Sequence, residues 1–272
     1  MSDVIQVSPD WLALREAEDA RARSLDLARA LPDILPAGPL TVHDLGSGTG
    51  AMMRWLAPLL PGPQTWVLHD WNASLTAQAF EGPRPRDLHG APVALRTRVD
   101  QLDRLDAGAL AGASLVTASA LLDVLTASEA HAIVDACVAA GVPVLLSLSV
   151  TGDVDVRPWD ARDRRVAEAF NAHQRRSVQD RGLLGRYGAP IVHGLFRLAG
   201  WNVRTALTTW RLSDAEPQLL NEWFDGWLGA AEDQSPELAA RIAGYRELRM
   251  SQAARGELSA VVYHRDVLAW PR

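Results

Sequence analysis

The chain has one cysteine, Cys137, and no lysine among its 272 residues. A lone thiol makes no internal disulfide and cannot gather thiolates around a metal, which points to a reducing, cytoplasmic setting and a buried, inert side chain. With lysine missing, every permanent side-chain cation is an arginine. A genome that favours arginine codons accounts for this, so arginine abundance carries no functional weight. Long apolar runs are also lacking: the most apolar stretch, 142–150, is interrupted by Pro143 and is far too short to cross a bilayer. The start, MSDVIQVSPD, has no basic segment followed by an apolar one and so does not read as an export signal. Surplus positive charge is missing as well. The net charge of −6 argues against a protein that grips nucleic acid, because that affinity comes mainly from neutralising phosphates. What remains, 48% hydrophobic and 22% charged residues, is a soluble globular balance with ample material for one core domain and sizeable additions. A small-molecule ligand is the expectation.

Ser8-Pro9-Asp10 is a helix start, with serine as cap and proline at the first helical position, and apolar spacing then predicts a helix over 9–31 with one break. Pro32, Pro36 and the AGP at 37–39 form a linker. From there strand-like runs at 40–45, 65–70, 93–99, 114–119 and 143–150 alternate with helical stretches, which implies a mostly parallel sheet covered on both faces. The segment 151–190 is polar and arginine-rich, reads as an insertion, and carries a helix around 161–180. LFRLAGWNVRTALTTWRL ends a helix, stops at Gly200 and begins a sixth strand. Helices at 215–230 and 236–254 precede a last strand at 258–264. The expected fold is α/β, doubly wound, with a mostly parallel seven-stranded sheet, a helical cap and insertions. The parts are 1–39 as an N-terminal helical cap, 40–150 as the core, 151–195 as a substrate-cap insertion and 196–272 as the rest of the sheet with two inserted helices. Leu219, Leu220, Trp223, Phe224, Trp227 and Leu228 form an apolar stripe at helical spacing, read as core, with a homodimer contact or a substrate wall as alternatives.

The stretch VHDLGSGTG, 42–50, is a strand running into a glycine-rich turn, where missing side chains let the backbone turn tightly and approach a ligand. Gly46, Gly48 and Ala51 satisfy the dinucleotide spacing, and Asp70 stands where its ribose-binding acid would. Asp44, however, lies two residues before the first glycine, where a carboxylate repels a pyrophosphate and receives a cationic amino acid. That favours S-adenosylmethionine over NAD. With Gly50 the turn reads DLGSGTG, and in this form it resembles the first motif of class I SAM-dependent methyltransferases. VLHD, TRVDQL and LVTASALLDVL extend the resemblance over about residues 40–150.

The resemblance implies a SAM-dependent methyltransferase. It puts Asp44 and the turn residues Gly46, Ser47, Gly48 and Gly50 beside the methionine part of the cofactor, and Asp70 on the ribose hydroxyls. Trp71 would pack on adenine or ribose, Asp100 and Gln101 would meet the adenine edge, and Ser119 would reach the sulfonium. The usual acid at the start of the fourth strand is replaced by Ser114. His43 and His69 read as core residues, and no group of His, Asp and Glu has metal-ligand spacing, so no metal is expected. The acceptor would be a small molecule held under the cap, without nucleic acid or membrane. In AFNAHQRR, Asn171, Gln174, Arg175 and Arg176 are candidate substrate contacts, and His173 is a candidate base. Asp123 is a second candidate at the reaction centre, with helix capping as its alternative role. An NAD-dependent oxidoreductase and a SAM-binding module without activity are the competing readings.

Overall fold

The computed structural model describes residues 7–81, 84–99, 105–178 and 180–272. The chain opens with helices α1 (Pro9–Ala22) and α2 (Leu25–Arg29), and the expected break falls between them. The Ser8 hydroxyl accepts from the Trp11 N–H ahead of α1, and Ser24 caps α2 in the same way, so Arg23 between them is extended. Then follow β1 (Leu40–Leu45), α3 (Ala51–Leu56), β2 (Gln64–His69), α4 (Ala73–Gln78), β3 (Ala94–Arg98), β4 (Leu115–Ser119), α5 (Ala127–Ala140) and β5 (Val144–Arg157). After β5 come α6 (Asp163–His173), a small hairpin of β6 (Ser177–Val178) and β7 (Arg181–Gly182), and α7 (Gly188–Leu198). The chain closes with β8 (Asn202–Leu212), α8 (Pro217–Gln234), α9 (Leu238–Arg241), α10 (Tyr245–Ala254) and β9 (Ser259–Trp270).

Seven strands form one sheet in the order β3-β2-β1-β4-β5-β9-β8, parallel from β3 to β5, with β9 antiparallel to both of its neighbours. Alternating apolar side chains fill both faces. Val144, Leu146, Val267 and Ala269 pack towards α5 and α7, whereas Leu145 and Leu268, one residue over in each strand, pack with Leu40, Val42, α2 and α3 on the other face. A third apolar cluster lies beyond the sheet's edge, where α1, α6 and α8 close on the outer parts of β5, β8 and β9. The α8 stripe is buried in it, and two of its members, Trp223 and Trp227, also line the cavity described below.

Several element limits differ from the sequence reading. β5 runs seven residues past Val150 to Arg157, so the expected boundary at 150/151 falls inside a strand. The polar composition after Val150 marks a strand with one face towards solvent, where backbone pairing with β9 continues and the Tyr263 hydroxyl donates to Asp155 at 2.8 Å. β9 likewise continues to Trp270, because the charged Asp266 in its middle is buried and bonded instead of ending the strand. Gly244, at φ +71°, splits the predicted 236–254 helix into α9 and α10. The helix expected over 161–180 stops at His173 and gives way to the hairpin. No helix among the described residues is long and apolar enough to cross a membrane.

Asp266 is fully buried and accepts from the Ser24 N–H (2.9 Å), the Leu148 N–H (2.8 Å) and the Thr208 hydroxyl (3.3 Å). It thereby holds the α1–α2 junction, β8 and an irregular point of β5, where Leu148 sits at φ +57°. Asp266→Ala leaves two buried N–H groups without an acceptor and is expected to lower stability by about 2–4 kcal/mol. Asp266→Asn, which keeps one acceptor oxygen, should lose less. Chemical denaturation of the two variants beside the parent checks the order.

Candidate active site

At the carboxyl end of β1 the chain must reverse into α3, and the glycines make this reversal possible. Gly46 and Gly48 have φ of +61° and +52°, and a Cβ on Gly46 would stand 2.8 Å from Leu121 Cδ1. The turn is pinned to the end of β2: the Ser47 N–H donates to the His69 carbonyl at 3.0 Å and the Gly48 N–H to Asp70 Oδ2 at 2.9 Å. Asp70 Oδ1 accepts from the Asn72 N–H at 2.9 Å, so this carboxylate shapes the turn as well as facing the cavity. Helix α1 is tied to the same turn through Arg54, which pairs with Glu16 at 2.6 Å and donates to the Thr49 carbonyl at 2.6 Å.

Over the carboxyl ends of β1, β2 and β4 lies a cavity of about 520 Å³. Of the residues singled out from sequence, Asp44, Gly46, Ser47, Gly48, Asp70, Trp71, Ser119, Asp123 and Gln174 line it. Gly50 does not; it begins α3 in a left-handed conformation with Ala79 and Met53 beside it. Nor do His173, Asn171, Arg175 or Arg176. His173 Nδ1 faces Arg176 Nη1 at 3.2 Å, Asn171 donates to the Gly152 carbonyl at 2.8 Å, and Arg175 lies over the Tyr187 ring. Asn171 and His173 lie within α6 on faces turned from the cavity that Phe170 and Gln174 line, and beyond its end the chain turns into the hairpin and carries the arginines away. Asp100 and Gln101 fall outside the described residues. Asp123 sits in a 3-10 turn at Leu122–Val124 and caps no helix.

Helix α1 supplies what the sequence reading passed over. Trp11, Arg15, Asp19 and Arg23 recur every four residues, and all four line the cavity. The spacing was visible, but REAEDARAR reads as a charged outer face until the opposing sheet is known. Arg15 makes a two-pronged ion pair with Asp19 (3.0 and 3.1 Å) and lies 4.8 Å over the Trp210 ring, whose N–H also donates to Asp19 at 3.0 Å. Arg23 is buried, with Nη2 donating to the Ser119 hydroxyl at 3.0 Å and lying 3.8 Å from Asp19 Oδ2, while Nε and Nη1 have no hydrogen-bond partner among the described residues. Asp44 is its counterpart. Oδ1 accepts from the Thr117 hydroxyl at 2.7 Å, and Oδ2 has no partner. Thr117 and Ser119 are two apart on β4 and so share a face, which sets Asp44 and Arg23 at one end of the cavity.

Burial dominates the electrostatics. It pushes Asp44 up to about 7, against the pull of Thr117 and of the Arg23 charge, and pushes Asp123 up to about 6. Burial also raises Asp70, and it lowers Arg23 from the ordinary arginine range. His43 and His69, bonded to each other at 3.0 Å inside the sheet, and His264 in the cavity wall are all pushed down by burial, to about 4, 4 and 3. Their rings are uncharged at neutral pH.

No family model matches the chain, and no curated protein matches it. Among solved structures, a protein assigned as a type II methyltransferase from Anaeromyxobacter dehalogenans superposes with a TM-score of 0.50 at 16% identity, over 92% of this chain and 98% of that one. The chain has the methyltransferase fold. Further matches include a SAM-dependent methyltransferase from Geobacter sulfurreducens in complex with S-adenosyl-L-homocysteine (TM-score 0.42, 16% identity, 97% and 99% covered). Another is a cyclopropane synthase from Mycobacterium tuberculosis (0.43, 14%, 97% and 94%).

A raised carboxylate pKa means that the folded state holds its proton longer than the unfolded one, so stability falls as pH rises through the window between the two values. For Asp123 that window runs from about 3.8 to about 6. The buried histidines act in the opposite sense at acid pH, so the variant is compared with its parent at each pH. Asp123→Asn should stabilise the ligand-free chain by on the order of 2 kcal/mol at pH 8 and by much less at pH 4. Melting curves across that range check it.

Proposed function

We propose that the chain is a SAM-dependent methyltransferase acting on a small molecule. The observation that carries this reading is a set of buried atoms at one end of the cavity, Asp44 Oδ2 and Arg23 Nε and Nη1, that have no hydrogen-bond partner among the described residues, the Arg23 charge being offset by Asp19 at 3.8 Å. Buried donors and acceptors of charged groups left without hydrogen bonds are unfavourable. An acid and a base left open side by side complement one ligand group, the zwitterionic end of an α-amino acid, which S-adenosylmethionine carries. In this reading Asp44 takes the ammonium and Arg23 the carboxylate, and Ser119 holds Arg23 in place. The backbone at Gly46, Ser47 and Gly48 approaches the ligand closely, and Gly50 gives the turn its shape. Asp70 takes the ribose hydroxyls, Trp71 packs on the nucleoside, and Asp100 and Gln101 meet the adenine edge.

When bound, S-adenosylmethionine supplies a methyl group on a sulfonium, and the electron pair of the broken S–C bond stays on sulfur. The chain's own task is then alignment of the acceptor and exclusion of water. Helices α1, α6 and α8 form the cap that does this, in place of a cap confined to 151–195. Asp123 takes over the base role first assigned to His173, because Asp123 lines the cavity and His173 does not. Asn171, Arg175 and Arg176 act at most by shaping the cap, and Gln174 is the member of that group that reaches the acceptor. A pyrophosphate beside Asp44 would meet like charge, which disfavours NAD. A cavity of about 520 Å³ suits a small acceptor.

Titration calorimetry with S-adenosylhomocysteine tests the reading. Each of Asp44→Asn and Arg23→Leu removes a charge-assisted contact of about 1.5–3 kcal/mol, and each should weaken binding about tenfold or more. Asp70→Ala should do at least as much, because it loosens the turn as well as losing the ribose. His173→Ala should leave the affinity within about twofold. Binding of NAD more tightly than S-adenosylhomocysteine would overturn the assignment.

A further inference from the structure

The half of the cavity away from the glycine turn has a different chemistry. Trp11, Trp210, Trp223 and Trp227 line it together with Phe170. Trp223 and Trp227 are stacked (5.5 Å between ring centres, 15° between planes), and Trp11 lies at 6.2 Å from Trp210, tilted by 59°. Such walls favour a flat ring system, which buries large area against aromatic faces at little entropic cost.

The charges narrow the choice further. Among the described residues, six carboxylates line the cavity (Asp19, Asp44, Asp70, Asp123, Glu129 and Asp153) against three guanidiniums. Arg15 is committed to Asp19, Arg181 pairs with Glu129 at 2.7 Å, and Arg23 belongs to the other end. An anionic acceptor would therefore find no open cation among the described residues of this half, and uncompensated acid instead. A cation is no better placed, because Arg15 already occupies the face of Trp210 and the sulfonium of the proposed cofactor adds like charge. An uncharged ligand meets neither difficulty.

The wall also carries polar atoms. Asp123 Oδ1, Trp227 Nε1 and His264 Nδ1 are buried in the wall without hydrogen-bond partners, which is unfavourable in a closed protein and calls for a donating and accepting group from a ligand. A hydroxyl provides both.

We infer that the acceptor is an uncharged aromatic alcohol, its ring held between the tryptophans and its hydroxyl donating to Asp123. On alkylation of that oxygen an O–C bond forms, the proton passes to the Asp123 carboxylate, and the product is an aryl methyl ether. The burial that raises Asp123 makes it a better proton acceptor than an ordinary aspartate. This inference rests on the reading that the other half holds the cofactor, so S-adenosylhomocysteine is titrated first.

With the chain saturated in that ligand, 5-hydroxyindole, indole-5-carboxylate, 5-aminoindole and cyclohexanol are titrated by calorimetry. 5-Hydroxyindole is expected to bind at least tenfold tighter than the carboxylate and cyclohexanol. Trp11→Leu, at a half-buried position, and Trp223→Leu should each weaken 5-hydroxyindole at least fivefold while leaving S-adenosylhomocysteine within about twofold, which also shows that the variants fold. Asp123→Asn should change 5-hydroxyindole binding less than fivefold yet remove formation of the methyl ether, followed by mass spectrometry with S-adenosylmethionine. No binding of S-adenosylhomocysteine would sink the cofactor reading. Its binding together with equal or tighter binding of the carboxylate, or with methylation of the amine and not the alcohol, would overturn the acceptor inference alone.

Discussion

The structure depends on one buried carboxylate. Asp266 holds the backbone of Ser24, the backbone of Leu148 and the hydroxyl of Thr208, three points far apart in sequence. Ser24 follows Arg23, so the first bond fixes where the arginine enters the cavity. Leu148 lines the cavity, and the second bond stabilises its left-handed backbone and the irregular pairing of β5 with β9. The third secures β8, which carries Trp210. Cofactor end, aromatic wall and sheet edge are therefore registered to one another by a single side chain.

The cavity also holds several polar atoms that the chain leaves unsatisfied, on Asp44, Arg23, Asp123, His264 and Trp227. Each opposes folding in the absence of a ligand. The fold tolerates them because three apolar clusters and the sheet supply the stability, and because the ion pairs on α1 keep its other charges matched. Stability and function are thus divided between the sheet and the cavity lining. Residues that weaken the empty protein are the ones poised to meet a ligand, and binding returns what they withhold.

The parallel core and the cavity-bearing edge of the sheet were legible in the sequence. Strand-length apolar runs between helical stretches allow little except a covered parallel sheet, and in such a sheet the glycine turn after β1 and the acid after β2 necessarily meet at the carboxyl edge. Asp44, Gly46, Ser47, Gly48, Asp70 and Trp71 were legible because their neighbours in space are their neighbours in the strand pattern. Tertiary structure decided the rest. Whether Trp11, Arg15, Asp19 and Arg23 face solvent or cavity depends on what α1 packs against, and nothing local to α1 encodes that. AFNAHQRR looked functional for the opposite reason: its residue types suit chemistry, yet α6 ends before the arginines can turn inward. Asp123 and Asp266 illustrate the same limit, since a lone aspartate reads as a surface charge until packing removes the water around it. Periodicity is a local property and survives in one dimension; burial, and the pKa values and open valences that follow from it, is a property of the assembled chain.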